Sequence, residues 1–408
     1  MTSIDEWADL YRDLHRHPEL GFQETRTARI VAERLEAIGL EVTPGIGGTG
    51  VVGVLRHGDG PTVLLRADMD GLPVREQTGL PYASTMRAVA ADGTDVPVMH
   101  ACGHDVHVTC LLGACAALAA SRDRWQGTLL AVFQPAEELG SGAESMIRDG
   151  LFERFGRPVV VLGQHVAPLP AGVIGLRPGP AFAAADLLRI TLHGQGAHGS
   201  RPEASVDPVV MAAATVMRLQ TVVSREVGGT ETAIVTVGAM HAGTAGNVIP
   251  QDATLVLSVR TFTDDVRTRV LGAIDRIARA EAAASGASQE PDVELLDSFP
   301  VVVNDEAAVE RTRPALASVS PLIVDPGTVT GSEDVGMLAT AAGAPCVYWL
   351  LGGADPAAFQ GATTVEEMTE RVRDIPSNHS PLYAPVVHPT LAVGIAALEA
   401  AARSWLVG

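Results

Sequence analysis

A chain of 408 residues exceeds what one ordinary hydrophobic core sustains, so two domains are expected. Hydrophobic residues make up 47% and charged residues 19%, ample material for globular cores. With 29 basic against 48 acidic side chains the net charge is −19, and every strong base is arginine, which disfavours nucleic acid and anionic membranes as partners.

The stretch Met1 to Leu20 sets Trp7, Leu10, Tyr11 and Leu14 among charged residues and reads as an amphipathic helix rather than a signal peptide. Thr25 to Gly39 has helical periodicity and ends on a glycine stop. Val51–Leu55 and Thr62–Leu65 read as strands, Val106–Ala120 as a helix, and Thr128–Phe133 and Val159–Leu162 as strands again. Apolar strands alternating with helices predict an α/β domain, a mainly parallel sheet covered on both faces. Ligands in such sheets gather beyond the carboxyl ends of the strands.

Near Ala183 the pattern changes. Asp186–His193, Glu231–Met240, Asp252–Arg260 and Asp292–Leu296 read as strands, with helices at Val206–Arg225 and Asp264–Ala284. The order β-α-β-β-α-β is that of a ferredoxin-like α+β satellite domain. The chain then returns to α/β character, with a buried strand at Ala344–Leu351 and a closing helix at Leu391–Ala402. Residues 1–182 and 297–408 are therefore expected to form a catalytic domain around an inserted satellite of residues 183–296. No run approaches the ~18 apolar residues a membrane span needs. Cys110, Cys115 and Cys346 sit in apolar stretches and read as packing residues. A disulfide framework is not expected in so large a chain, which makes the cytoplasm the expected compartment.

The chemistry centres on Met99 to Asp105, where Cys102 and His104 lie two residues apart with His100 and Asp105 flanking them. Thiolate and imidazole suit a borderline-soft divalent metal such as zinc. Polar clusters follow four predicted strands: Asp68 and Asp70 after Thr62–Leu65, the Cys102 segment after Val96–Val98, Glu137-Glu138 after Thr128–Phe133, and His165 after Val159–Leu162. Adjacent glutamates in extended backbone point to opposite sides, and even a turn is expected to separate them, so one can bind metal while the other serves as general base. A solvated glutamate pair is the rival reading. A hydrogen-bonded core histidine is the rival for His165, and a surface histidine for His379, which stands before the turn at Pro381. Together Cys102, His104, Glu138, His165 and His379 offer too many ligands for one tetrahedral metal and suit two metals sharing a bridge. In the satellite, His198 stands in the glycine-rich bend Gly194 to Pro202. Asn247 offers a neutral donor, and Arg260 a guanidinium for a substrate carboxylate or for a structural ion pair.

The segments Leu14 to Leu20, Arg66 to Asp70, His100 to Asp105, Glu137-Glu138 and Gly163 to His165, together with the His198 bend, Asn247 to Pro250 and His379, carry a likeness. The pattern resembles the aminoacylase branch of the dimetal peptidase-like amidohydrolases, which includes hippurate hydrolases, bacterial N-acyl-amino-acid hydrolases and plant auxin-conjugate hydrolases. The likeness runs essentially end to end. It implies metal ligation by Cys102, His104, Glu138, His165 and His379, a general base at Glu137, and an orienting role for Asp70. It further implies that His198 reaches into the partner subunit's site to support the oxyanion, in a homodimer formed through the satellite. Asn247 and Arg260 would bind the amino-acid end of the substrate. His15, His17 and His100 match the pattern without a physical role.

The expected activity is hydrolysis of N-acyl-L-amino acids with two divalent ions per subunit, zinc or manganese, with cobalt or nickel as further candidates. The rivals are a dipeptidase or carboxypeptidase, and a metal-containing binding protein without catalysis. The segment Gly352 to Ile375 is longer than a simple connection, and its glycines suit either a lid over the acyl pocket or a surface decoration.

Overall fold

The computed structural model describes residues 3–320, 322–362 and 364–406. They divide into two compact units, one of residues 1–181, 303–327 and 334–408, the other of residues 182–302 and 328–333.

The first unit is built on an eight-stranded sheet. Across it run Glu41–Ile46, Gly50–His57, Gly127–Gln134, Thr62–Asp68, Val160–Pro170, Cys346–Ala354, Ile174–Gly175 and Ile323–Val324. The four strands from Gly127–Gln134 to Cys346–Ala354 are mutually parallel, and an antiparallel hairpin closes one side. Side chains alternate along each strand. Val63, Leu65 and Ala67 therefore enter one core with the helices Ile4–Arg16, His104–Ala120 and Thr390–Trp405. Leu64 and Arg66 turn to the opposite face, where Gly142–Arg148 and Val335–Ala342 pack on each other and on the sheet. The helix His104–Ala120 is apolar on nearly every side because it is buried on nearly every side.

Two expectations need correction here. The strand expected at Val96–Val98 before Cys102 is instead Asp95–Pro97, which pairs with Arg87–Val89 in a separate short hairpin. Three residues ending on a proline, which has no N–H to give, cannot sustain a central strand. Gly352 and Gly353 lie within the strand Cys346–Ala354 and do not form a hinge. A Cβ at Gly352 would stand 2.0 Å from the Pro170 carbonyl oxygen, so glycine permits a close strand approach there. Beyond it come a 3-10 turn, Pro356–Phe359, and a helix, Val365–Val372, opened by a Thr364–Glu367 capping box. The turn and the helix both pack on strand Val160–Pro170.

The second unit has the ferredoxin-like order expected of it. Its antiparallel sheet runs Ala233–Ala242, Asp252–Thr261, Ala184–His193, Asp292–Phe299. Leu188, Ile190, Leu255, Leu257 and Val259 point to the face covered by the helices Pro208–Thr221 and Asp264–Ala284. Pro208 stands at the first turn of its helix, capped by Asp207, so that helix begins later than the apolar pattern suggested. Among the described residues no helix is long and apolar enough to cross a membrane.

Candidate metal centre

Gly103 separates the two residues at the heart of the site. It caps helix His104–Ala120 with φ +85°, and a Cβ there would lie 2.3 Å from Val166 Cγ1. A glycine is required on both counts. Its bend places Cys102 beside strand Val160–Pro170 and lets His104 begin the helix. The loop that carries His379 is tied to the same place. Asn378 donates from Nδ2 to the carbonyls of Cys102 (3.0 Å) and Val166 (3.1 Å), and the His379 N–H donates to Ala101 O at 2.8 Å. These bonds hold His379 in a left-handed conformation, φ +70°, that is uncommon for histidine.

The imidazoles are oriented by their outer nitrogens. His104 Nδ1 lies 3.1 Å from Asp70 Oδ1, which leaves Nε2 facing inward, buried and without a hydrogen-bond partner. His165 Nδ1 donates to its neighbour's carbonyl, Val166 O, at 2.8 Å, and Nε2 then lies 3.5 Å from Cys102 Sγ. Ligand histidines are commonly fixed in this way through their other nitrogen.

Ligand-type atoms of Cys102, His104 and His165 lie within 4.8 Å of one another, and so do those of Cys102, Glu138 and His379. The two trios share Cys102. Glu138 Oε1 is 3.3 Å from His379 Nε2, ion-pair range, but the geometry is not that of a hydrogen bond and the oxygen has no hydrogen-bond partner. Glu137 and Glu138 sit in a 3-10 turn, not in extended backbone, and do not diverge as expected. Glu137 Oε2 and Glu138 Oε1 approach His104 Nε2 to 3.8 and 4.0 Å.

The electrostatics favour a cation. Burial pulls the His104 pKa down, yet Asp68, Asp70 and Glu138 outweigh it and raise the value to about 10. Burial pushes the Cys102 thiol up, and Glu138, Glu137 and Asp68 push it further, so a thiolate here needs positive charge beside it. Burial and the neighbouring imidazoles hold His165 well below the ordinary histidine range, which keeps it in the neutral, ligating form. Orphaned donor atoms, a soft thiol, neutral imidazole and surplus carboxylate together fit divalent cations.

A third trio, Asp68, His104 and His107, is a supporting network. His107 donates from Nδ1 to Asp68 and accepts the Val166 N–H on Nε2 at 2.8 Å, so both its nitrogens are engaged. Asp68 also accepts from the buried Arg66 guanidinium at 2.7 Å, and Arg66 reaches on to Gln134, Tyr348 and Asp334. Sequence reasoning missed His107 and Asn378. His107 follows His104 by three positions, one helical turn, and that spacing was the available signal.

His198, Asn247 and Arg260 belong to the second unit. His198 pairs with Val248 across a two-residue ladder, and the Gly199 N–H donates to Asn247 O at 2.8 Å, so the first two are neighbours. The Ser200 N–H donates to His198 Nδ1 at 3.1 Å, which assigns the ring proton to the exposed Nε2. Ser200 was not anticipated. Arg260 lies on the sheet face opposite the helices, and its Nη1 is buried without a hydrogen-bond partner. The three histidines left without a role also have places. His15 bridges Asp105 and Glu76 inside the core, and His17 bonds the Asp13 carbonyl. His100 is buried with neither nitrogen hydrogen-bonded.

Fold and site define a hydrolase of the divalent-metal class, one that cleaves amide bonds. The profile of Peptidase family M20/M25/M40 matches residues 64–378, and the chain belongs to that family. It is 40% identical over 311 residues to a hippurate hydrolase of Campylobacter jejuni, covering 75% of this chain and 76% of that one. It is 36% identical over 325 residues to an N-acetyl-L-cysteine deacetylase of Bacillus subtilis, covering 79% and 75%. The crystal structure of the Bacillus subtilis YXEP protein, described as a dinuclear metal binding peptidase of the M20 family, matches with a TM-score of 0.77 and 28% identity. That match covers 98% of this chain and 97% of the other.

Proposed function

We propose that the chain hydrolyses N-acyl-L-amino acids to a carboxylic acid and a free amino acid, as a homodimer with two divalent cations per subunit. The observation that carries this reading is the pair of ligand trios sharing Cys102, with the Glu137 carboxylate beside them. The hippurate hydrolase and deacetylase relatives support the substrate class. Cys102, His104, Glu138, His165 and His379 would hold the cations, with zinc favoured by the thiolate and manganese, cobalt or nickel accepted by so mixed a donor set. When bound, the cations supply Lewis acidity, polarising the amide carbonyl and lowering the pKa of water towards about 7.

The remaining work falls to the protein. Glu137 takes the proton of the attacking water and delivers it to the nitrogen of the leaving amino acid as the C–N bond breaks. Asp70 keeps His104 turned inward. The partner subunit's His198 donates from Nε2 to the carbonyl oxygen as it gains negative charge, the kind of interaction that usually dominates such barriers. Arg260 pairs with the substrate carboxylate, and Asn247 binds the same end. Residues 183–296 act as the satellite that carries these groups.

The decisive experiment is a hydrolysis screen on enzyme reconstituted with Zn²⁺, Mn²⁺, Co²⁺ or Ni²⁺. Acetyl-, benzoyl- and long-chain acyl-amino acids are set beside dipeptides. Turnover of acyl-amino acids well above dipeptides is expected; a preference for dipeptides would assign the chain to peptide cleavage instead.

A further inference from the structure

A carboxylate outside the ligand set holds the turn that carries Glu137. Glu24, fully buried, accepts the Ala136 N–H on Oε1 at 2.8 Å, and the Thr49 hydroxyl donates to its other oxygen. Ala136 stands at φ 48°, ψ 43°, a left-handed conformation uncommon for a residue with a Cβ, immediately before the two glutamates. Two residues on, the Glu138 N–H donates to Asp70 Oδ2 at 3.0 Å. Alternate N–H groups of one short turn are thus anchored by carboxylates from two distant segments. Without the first anchor, Ala136 loses the bond its own N–H makes, and the turn is left with the Gly142 N–H on Ala136 O at 3.2 Å and the Asp70 contact. A return to the right-handed region would swing the side chain that follows.

We propose that Glu24 is a positioning residue for hydrolysis: by taking the Ala136 N–H it fixes the left-handed turn that aims Glu137 at its water, without touching substrate itself. The inference rests on the role given to Glu137 above. It also explains why so buried a carboxyl is tolerated. Burial, with the charge of Asp70 adding, raises the Glu24 pKa to about 7 even though its accepted hydrogen bonds oppose the shift. Near neutrality the neutral form is well populated, and its carbonyl oxygen still accepts from Ala136. A glutamine presents the same acceptor.

The test uses the metal-loaded full chain. Glu24→Leu should lower kcat by about 100-fold, the scale of an ångström-sized misplacement, with KM within about twofold and both metals retained. Glu24→Gln should keep most of kcat. Adding Ala136→Gly to Glu24→Leu should restore kcat by roughly tenfold, since glycine adopts the left-handed conformation without help. A purely packing role for Glu24 would not respond to that second change. Amide exchange across residues 134–140 should quicken in Glu24→Leu with and without metal. If Glu24→Leu does not fold, Thr49→Val removes only the hydroxyl contact and should cost kcat about fivefold with the same exchange signature. Unchanged kcat, a loss that Ala136→Gly leaves untouched, metal lost together with activity, or unaltered exchange would each overturn the proposal. Wild-type enzyme inactive on every acyl-amino acid would instead reject the function, a separate result.

Discussion

Cys102 Sγ lies 3.5 Å from His165 Nε2 across 63 positions of sequence, and Cys102 also belongs to the trio with Glu138 and His379. If the cations are held as proposed, a thiol common to both trios would serve both of them. Cys102→Ala is therefore expected to hold fewer than two ions per chain by elemental analysis and to lose nearly all turnover. Burial and the flanking glutamates keep the thiol protonated at neutral pH in the metal-free protein, so loading must expel that proton. Metal titrated into weakly buffered wild type should release more protons than the same titration of Cys102→Ala. Two ions retained in the variant would remove that shared role.

Asp70 acts through two bonds, one to His104 Nδ1 and one from the Glu138 N–H. Asp70→Ala should weaken metal affinity by about 10–100-fold, the usual penalty for losing a residue that orients a ligand. Competition against a chromophoric chelator reads this directly, and undiminished affinity would show that His104 holds its orientation unaided.

Glu137→Gln keeps the shape of the side chain and removes its basicity. Metal content should stay at the wild-type level while kcat falls by roughly 10²–10⁴, the contribution of a positioned general base. Near-normal turnover would move the proton-carrying role elsewhere.

Much of the centre was legible because its chemistry is local in sequence. Cys102-Gly103-His104 announces a thiol and an imidazole around a bend, and buried strands ending in Asp68 and Gln134 point at the adjoining polar groups. What stayed hidden depends on contacts between distant segments. Asn378 joins the Cys102 and Val166 carbonyls, and Glu24 reaches Ala136 across 112 positions; neither pairing has a periodicity to betray it. Glu137 and Glu138 were expected to diverge in extended backbone and in a turn alike, whereas the 3-10 turn that follows a left-handed Ala136 brings both carboxylates towards His104 Nε2. The strand at Val96–Val98 was overread from three apolar-flanked residues. The glycines at 352 and 353 were read as freedom when the neighbouring strand makes them a packing requirement.

His198 presents its Nε2 proton outward because Ser200 supplies an N–H to Nδ1. An N–H donor suits a developing oxyanion. His198→Ala should fold and dimerise but lose most of kcat, and Ser200→Ala, which keeps the backbone N–H, should cost far less. Mixing His198→Ala with Glu137→Gln and allowing subunits to exchange should regenerate part of the activity, since one site of the hybrid then has both groups intact. Absence of any recovery, with hybrids demonstrated by mass, would place His198 in its own subunit's chemistry.

His15 gives the fold a pH signature away from the catalytic groups. Its Nδ1 lies 2.6 Å from Asp105 Oδ2 and its Nε2 3.1 Å from Glu76 Oε1, all inside the core. Burial alone would lower its pKa, but the two carboxylates outweigh that and raise it to about 9. An unfolded histidine titrates near ~6.5. The folded state therefore holds this proton more tightly, and the stability it contributes is complete below about 6.5 and is lost as pH climbs through about 9. That contribution is on the order of 3 kcal/mol. His15→Gln should be less stable by about 3–5 kcal/mol at pH 6.5, since two buried carboxylates lose their counter-charge. Urea unfolding followed from pH 6.5 to about 9.5 should show wild type converging on the variant as the imidazolium deprotonates. Parallel curves across that window would mean His15 is already neutral in the fold.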